Sequence, residues 1–386
     1  MLNGDGEMPA GVSPPFFSQG GTSMIVSWMT TNQCNLNCSH CYQDAGDRRT
    51  GELNTEEGMA LIGQIARAGT RILIFSGGEP LMRPDIFELV KHAAKCGLRP
   101  VFGTNGTLLT KETVTRLKEA GAAAMGVSLD SLSEEKHNRF RGHADAFRLT
   151  QEGIANCREA GLPFQLHTTV MDWNREEILG LMDYAVSAGA SAHYLFFLIP
   201  VGRGVFLERT ALEVEEYEST LRGIMEKAAD LPIEVKPTCA PQFIRVAEEL
   251  GVKTRFRRGC LAGLSYCIVS PVGKVRPCAY MTEEAGDVRD RPFDEIWRES
   301  GLFETLRSRE YGGACGVCAY GDSCGGCRAR AGYYHGGDIL AEDSYCAYGR
   351  GRLALAAEPS GAKATASVRV DVEGGEGCRK SGRTEC

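Results

Sequence analysis

Three cysteines near the amino terminus have the spacing of ligands to an iron–sulfur cluster. Cys34, Cys38 and Cys41 lie in the segment TTNQCNLNCSHCYQ, directly after a predicted strand. A [4Fe–4S] cluster normally takes four cysteines, so a loop that supplies three leaves one iron open to bind a ligand's amine and carboxylate. The spacing alone also permits a structural zinc site, with His40 as a candidate fourth ligand.

A second group of cysteines lies towards the carboxyl terminus and makes up half of the chain's 16 cysteines. Eight thiolates suit two sites of four ligands, either iron–sulfur clusters or zinc ions. In a reducing compartment, such a density of cysteine indicates metal binding rather than disulfides. The eight are Cys260, Cys267, Cys278, Cys315, Cys318, Cys324, Cys327 and Cys346.

Composition narrows the classes of function. The formal net charge of -7 argues against broad electrostatic attraction to nucleic acid or to anionic lipid. Hydrophobic residues make up 43% of the chain, which is enough for a sizeable core. We find no secretory segment and no apolar run of about 18 residues, so we expect a cytoplasmic protein without a membrane span.

The elements that must position these cysteines repeat one pattern, in which a helix-like stretch ends in glycine and an apolar strand follows. The five glycines are Gly69, Gly97, Gly121, Gly161 and Gly189. Glycine suits the left-handed position that follows a helix, and such units form parallel βαβ structure. With a first strand at 23–30, six strands result. The predicted fold is α/β, a partial (β/α)6 TIM-like barrel with its site at the strand carboxyl ends; a doubly wound open sheet is the alternative.

The pattern changes along the chain and predicts four segments. We expect a flexible segment at 1–22, the barrel at 23–236, a cysteine-rich, metal-stapled domain at 237–350 and a disordered tail at 351–386. Cys378 and Cys386 fall in that tail, so we expect them to be incidental.

A second motif, SGGEP, ends the second predicted strand and places Gly77, Gly78 and Glu79 beside the cysteine loop. Glycines allow close backbone approach to a ligand, and a carboxylate can accept from an ammonium group. CNLNCSHCY together with SGGEP resembles the radical S-adenosylmethionine (SAM) superfamily. That resemblance implies an enzyme that cleaves SAM reductively to methionine and a 5′-deoxyadenosyl radical, which removes hydrogen from the substrate.

The resemblance also implies roles for individual residues. Cys34, Cys38 and Cys41 would hold the catalytic cluster, while Gly77, Gly78 and Glu79 would receive the methionine amino group. The other candidates for binding the cosubstrate are Tyr42, Asn105, Ser128 and Arg141. His167, at the end of the fifth strand, could face cosubstrate or substrate, although a structural histidine is an equal alternative.

The late cysteines, with GKVRPC ending at Cys278, resemble the SPASM extension of radical SAM enzymes, although the last short gap has two residues where the common pattern has three. The family's interleaved pairing implies two auxiliary [4Fe–4S] clusters. One would use Cys260, Cys267, Cys278 and Cys327. The other would use Cys315, Cys318, Cys324 and Cys346. Such clusters can accept an electron from a substrate radical.

Across most of its length the chain looks like the NirJ-type and AhbD-type branch, which acts on porphyrins in haem and haem d1 biosynthesis. The function implied is oxidative decarboxylation of the propionates of iron-coproporphyrin III to give haem, with an electron donor such as flavodoxin or ferredoxin. Alternatives are removal of carboxyls from didecarboxysirohaem, peptide modification of the pyrroloquinoline quinone or mycofactocin type, and a non-catalytic iron–sulfur or zinc protein. A basic run that contains Arg255 and Arg258 is a candidate clamp for substrate carboxylates.

Overall fold

The computed structural model describes residues 24–350. The predictions of a flexible segment at 1–22 and a disordered tail at 351–386, including Cys378 and Cys386, therefore lie outside the described residues.

One sheet of ten strands forms the centre of the described structure. Its strands are β1 (Ile25–Thr31), β2 (Ile72–Gly77), β3 (Arg99–Thr104), β4 (Ala124–Ser128), β5 (Phe164–Val170), β6 (Ala192–Phe197), β7 (Glu234–Thr238), β8 (Tyr266–Val269), β9 (Lys274–Arg276) and β10 (Gly286–Asp287). Their order in the sheet is β10-β9-β8-β1-β2-β3-β4-β5-β6-β7. The strands β1 to β8 pair in parallel, and β9 and β10 add an antiparallel edge.

Helices connect the parallel strands, as crossovers in a parallel sheet require. The connecting helices are α1 (Thr55–Arg67), α2 (Ile86–Lys95), α3 (Lys111–Ala120), α4 (Glu134–Arg141), α5 (Ala146–Ala160), α6 (Ile178–Ala188), α7 (Val214–Ala228) and α8 (Phe243–Glu249). Four further helices follow β10, namely α9 (Phe293–Glu299), α10 (Gly301–Ser308), α11 (Gly313–Gly316) and α12 (Arg328–Tyr334). Short 3-10 helices span Pro80–Met82, Asp172–Glu177 and Gly202–Thr210.

The glycine pattern in the sequence marks the helix ends correctly. All five predicted glycines have positive φ, between 61° at Gly161 and 97° at Gly121. A side chain with Cβ disfavours that region, so glycine ends each helix at low cost. Each of the six predicted strands is present, and the partial barrel is confirmed.

The sheet extends beyond the six predicted strands on both sides. On one side β7 pairs with β6, and on the other β8 pairs in parallel with β1, with Cys267 opposite Val26. The strands β8 to β10 come from the cysteine-rich part of the chain, so the sheet runs continuously from one predicted domain into the next. The two edge strands, β7 and β10, do not pair with each other within residues 24–350, which leaves the barrel open. Over the same residues, no helix combines the length and the apolar character that crossing a membrane requires.

Candidate active site

A cavity of about 380 Å³ opens at the carboxyl ends of the parallel strands. Residues from the ends of β1 to β7 and from the loops that follow them form its wall. All three early cysteines line it, together with Tyr42, Gly77, Gly78, Asn105, Ser128 and Arg141. The structure thus brings nine of the ten predicted catalytic and cosubstrate residues to one cavity, at the end of the barrel where the fold favours a site.

The loop that carries the three early cysteines is held by hydrogen bonds at both of its ends. Cys34 N donates to Gly46 O at 2.8 Å, and Gly46 N donates to Asn32 O at 3.0 Å. The buried carboxylate of Glu52 accepts from Asn32 N at 2.7 Å and from the Thr31 hydroxyl at 2.9 Å. These contacts fix the loop directly above the end of β1.

Two backbone N–H groups of this loop point at the cysteine sulfurs. Leu36 N donates to Cys34 Sγ at 3.4 Å, and Ala45 N donates to Cys41 Sγ at 3.4 Å. Burial raises the pKa of the Cys34 thiol to about 12, so the thiolate needs a positively charged partner. Donors aimed at sulfur suit cluster thiolates, whose hydrogen bonds help to set the reduction potential. The loop therefore fits an iron–sulfur cluster.

His40 lies in the same loop and was the candidate fourth ligand of a zinc site. Its ring stacks on Phe140, with 4.1 Å between ring centroids, and burial lowers its pKa to about 3. The imidazole is neutral at physiological pH. Within residues 24–350, no three histidine, cysteine or acidic side chains converge closely enough to hold a single metal ion.

Gly77 and Gly78 bring β2 against the cysteine loop. A Cβ on Gly78 would lie 2.3 Å from Gln33 O, and a Cβ on Gly77 would lie 2.4 Å from Thr31 O. Gly77 also has a φ of +131°, which disfavours other residues. Gly78 N donates to Thr31 O at 2.8 Å. Only glycines allow this close approach, which shapes the cavity wall where the cosubstrate is expected.

Glu79 is the predicted residue that does not line the cavity. Its side chain is fully buried behind the wall and accepts from the Thr104 hydroxyl and from Asn105 N, each at 2.9 Å. Burial raises its pKa to about 7. In this structure Glu79 joins the end of β2 to the end of β3 and so orients Asn105.

Arg141 lines the cavity but is already paired. Its Nε donates to Asp130 Oδ2 at 2.7 Å, and its Nη1 lies 3.9 Å from Cys38 Sγ. Both side chains of the ion pair are buried. A guanidinium held by a carboxylate places fixed positive charge next to Cys38, and further N–H groups are available for a carboxylate ligand.

Four of the late cysteines surround a second, smaller cavity of about 30 Å³. Cys315, Cys318, Cys324 and Cys346 all line it, as the implied pairing for one auxiliary cluster requires. Tyr320 N donates to Cys318 Sγ at 3.4 Å, and Gly349 N donates to Cys346 Sγ at 3.3 Å. The same N–H to sulfur pattern therefore occurs here as in the loop of Cys34, Cys38 and Cys41.

The other predicted set of four is only partly brought together. Cys260, Cys278 and Cys327 line the large cavity, close to the early cysteine loop. Cys267 does not line it, because β8 holds this residue fully buried in the main core. Cys239, which directly follows β7, lines the cavity in its place.

Of two further candidates from the sequence, His167 lies at the cavity and the basic run with Arg255 and Arg258 does not. His167 lines the cavity, and burial lowers its pKa to about 4. The basic run does not reach the cavity. Arg255 forms an ion pair with Glu234, and Arg258 Nη1 lies 3.4 Å from Asp322 O. The structure therefore does not place a carboxylate clamp at this run.

Sequence reasoning missed three residues that shape the site. Asp130 stands in the SLDS segment at the end of β4, and its position after a strand could have identified it. Arg203 donates to Cys38 O at 2.8 Å and to Ala45 O at 2.7 Å, and so ties the cysteine loop to a segment far away in the sequence. No local signal marks Arg203. Cys239 follows a strand that the repeat pattern did not include.

Comparisons with known proteins agree with this geometry. Residues 28–185 match the model of the Radical SAM superfamily, and residues 260–327 match SPASM, an iron–sulfur cluster-binding domain. The chain is 43% identical to the AdoMet-dependent heme synthase of Methanosarcina barkeri, over 85% of this chain and 97% of that protein. It is 33% identical to the Fe-coproporphyrin III synthase of the same organism, over 83% of this chain and 87% of the relative.

Solved structures show the same fold. Streptococcus suis SuiB bound to the precursor peptide SuiA superposes with a TM-score of 0.68 at 17% identity, covering 84% of this chain and 76% of SuiB.

Proposed function

The chain belongs to the radical SAM superfamily and is an iron–sulfur enzyme that uses SAM, and on that premise we propose that it makes haem by oxidative decarboxylation of iron-coproporphyrin III. In this reaction the two propionate side chains become vinyl groups. The cofactors, when bound, supply a 5′-deoxyadenosyl radical and acceptors for single electrons. The similarity to the haem synthase, at 43% identity over 97% of that protein, supports this choice of substrate.

The residues of the large cavity suit the proposed binding roles. We assign the catalytic cluster to Cys34, Cys38 and Cys41, whose loop presents N–H donors to sulfur. The part of the cavity wall formed by Gly77 and Gly78 would bind the methionine part of SAM. Four polar residues line the same cavity and would orient the cosubstrate, namely Asn105, Ser128, Tyr42 and Arg141. Glu79 lies behind the cavity wall and accepts a hydrogen bond from Asn105 N, which holds Asn105 in place.

The observation that carries the proposal is that one cavity contains both the catalytic loop and cysteines of the SPASM part. Cys34 and Cys38 share its wall with Cys278 and Cys327. Oxidative decarboxylation needs an electron acceptor near the carbon that loses hydrogen, because the substrate radical must still lose its carboxylate as CO2 and give up one electron to become an alkene. Shared walls provide that proximity.

The remaining wall of the cavity is largely apolar and aromatic, as a flat macrocycle would require. The rings of Tyr42 and Tyr280 lie 5.0 Å apart and join the early loop to the segment that follows Cys278. Phe196 packs against His167 at 5.2 Å between centroids, also on the cavity wall. A porphyrin could stack on such rings while its carboxylates reach the polar residues.

We further propose a cytoplasmic protein that receives electrons from a flavodoxin or a ferredoxin. The many cysteines support this location, since cytoplasmic thiols stay reduced and available for iron.

The test is an anaerobic assay of the reconstituted enzyme with SAM, a reductant and iron-coproporphyrin III. We expect haem, identified by its absorption spectrum and by the mass lost from two propionates. Cys34→Ala should abolish both SAM cleavage and haem formation, because the catalytic cluster loses a ligand. Cys96→Ala is the matched control, since Cys96 lies at the end of α2 and outside the cavity.

Two outcomes would contradict the proposed substrate. If didecarboxysirohaem were consumed and iron-coproporphyrin III were not, the enzyme would perform the earlier removal of acetate carboxyls. If neither porphyrin reacted while SAM cleavage was stimulated by a peptide, a peptide-modifying function would replace the proposal.

A further inference from the structure

Four cysteines outside the catalytic loop line the large cavity, namely Cys239, Cys260, Cys278 and Cys327. The pairing implied by the SPASM resemblance contains Cys267 in place of Cys239. We propose that Cys239, and not Cys267, is the fourth thiolate of the auxiliary cluster on the cavity side. This inference rests on the proposed assignment of a cluster to Cys260, Cys278 and Cys327.

The packing of the side chains separates the two candidates. Cys239, Cys260 and Cys278 pack with Cys327 in one small apolar group beside the cavity. Cys267 belongs instead to the main core, where it is fully buried opposite Val26 of β1. A ligand in the middle of a strand at that place would have to leave the core to reach the other three.

Close backbone contacts hold the segments of Cys239 and Cys260 together. A Cβ on Gly259 would lie 2.4 Å from Pro241 Cβ, so only glycine allows the segment before Cys260 to pass this close to the turn after Cys239. Gly259 N donates to Ser323 O at 2.8 Å, which holds the same segment in place. Arg330 Nη2 donates to Cys239 O at 2.7 Å and fixes that turn from α12.

The backbone at Cys239 is strained. Its φ is +59°, and within residues 24–350 only two other non-glycine residues, Asp44 and Arg309, have positive φ. Glycine would occupy this conformation without a steric penalty. Strained residues persist where the structure needs the side chain, so a cysteine here indicates a role for its sulfur.

The assignment has a functional consequence. A cluster held by four thiolates has no open iron, so it can exchange electrons but cannot bind SAM or a substrate carboxylate. Cleavage of SAM would then be left to the cluster with three cysteines. The cavity-side cluster would lie where an electron leaves the substrate.

Cys239→Gly separates the loss of a ligand from a loss of folding. Glycine relieves the strained φ, so we expect full-length protein with unchanged circular dichroism and a midpoint of thermal unfolding no lower than that of the iron-free wild type. After anaerobic reconstitution without porphyrin, wild type should hold about 12 irons in three clusters. Cys239→Gly should hold about 8, or should show one cluster with an altered electron paramagnetic resonance (EPR) spectrum. Added 2-mercaptoethanol, which supplies a free thiolate, should restore that spectrum.

Cys267→Ala is the decisive comparison, with Cys157→Ala as its control because Cys157 is a fully buried core cysteine in α5. We expect both variants to keep the iron content and EPR spectrum of wild type. Wild-type iron and spectrum in Cys239→Gly would overturn the proposal, as would a cluster lost in Cys267→Ala and retained in Cys157→Ala. Cys278→Ala must lose the same signal, or the assigned group itself is wrong. None of these measurements uses a porphyrin, so their result does not depend on whether the proposed substrate is correct.

Discussion

Arg330 and Asp343 form an ion pair that is almost completely enclosed, with 3.1 Å between Nη1 and Oδ2 and side chains that are 1% and 0% exposed. The pair connects the two auxiliary sites. Arg330 donates to Cys239 O, and Asp343 accepts from Cys327 N at 2.7 Å. Asp343 also lines the small cavity with Cys346. One buried pair therefore holds the backbone at Cys239 and Cys327 beside the large cavity and, through the bond from Tyr345 N to Asp343 Oδ1 at 3.1 Å, the backbone next to Cys346.

Replacing one partner should be costly. Arg330→Met leaves the Asp343 carboxylate buried without its cation, which typically costs about 3 to 5 kcal/mol. We expect reduced soluble yield and loss of iron from the auxiliary sites, measured by chemical denaturation and iron analysis. Arg298→Met is the control, since its ion pair with Asp294 is at the surface. Equal stability of the two variants would contradict the structural role.

Gly78→Ala tests whether the close approach of β2 to the cysteine loop matters. Its new Cβ would meet Gln33 O at 2.3 Å and displace the residue before Cys34. A shift of about 1 Å near the chemistry can cost on the order of 100-fold in rate, so we expect SAM cleavage to fall by about that factor. The measurement is 5′-deoxyadenosine released from reconstituted enzyme.

Gly180→Ala is the matched control for this substitution. Gly180 lies inside α6, and an added Cβ would meet no atom within 4 Å. Alanine there should raise the free energy of unfolding by about 0.5 to 1 kcal/mol and leave cleavage unchanged. Normal SAM cleavage in Gly78→Ala would show that the loop tolerates displacement.

The success and the failures of the sequence analysis have local physical causes. Gly69 to Gly189 mark helix ends because positive φ almost requires glycine, and the cysteine loop is predictable because its ligands are close in sequence. The burial of Cys267 was not predictable, since it depends on β8 pairing with β1 across about 240 residues. Glu79 was expected at a ligand, and that role stays a prediction; its position behind the cavity wall depends on hydrogen bonds from Thr104 and Asn105 of the neighbouring strand, which no local pattern marks.

Cys318→Ala should separate SAM cleavage from product formation. Cys318 lines the small cavity and not the large one, so the catalytic loop stays intact. We expect 5′-deoxyadenosine still to form, while haem falls to a small fraction of the wild-type yield because one electron acceptor is lost. The measurement is the ratio of the two products in a single incubation. Haem at the wild-type rate would remove the redox role assigned to this site.

Buried histidines should make the protein sensitive to acid, and His193 on β6 is the clearest case. Thr168 Oγ1 donates to Leu129 O at 2.6 Å, so at 2.8 Å it must accept from His193 Nε2–H. The other ring nitrogen, Nδ1, has no hydrogen-bond partner within the described part of the chain. Burial lowers the pKa of His193 to about 3, because protonation would place an unpaired N–H and a charge in the core.

The sign of the effect follows from this lowered pKa. Below the ordinary histidine pKa of about 6.5 the unfolded chain binds a proton that the folded chain does not, so stability falls as the pH decreases from 6.5 towards 3. At about pH 5.5 the loss from this residue is about 1.4 kcal/mol, and at about pH 7.5 it is close to zero. His193→Gln keeps an N–H donor for Thr168 and does not titrate. The measurement is urea unfolding of anaerobic wild type and variant, followed by tryptophan fluorescence. Between pH 7.5 and pH 5.5, wild type should lose about 1.4 kcal/mol more unfolding free energy than the variant. Parallel pH profiles would mean that His193 has the same pKa in the folded protein as in the unfolded chain.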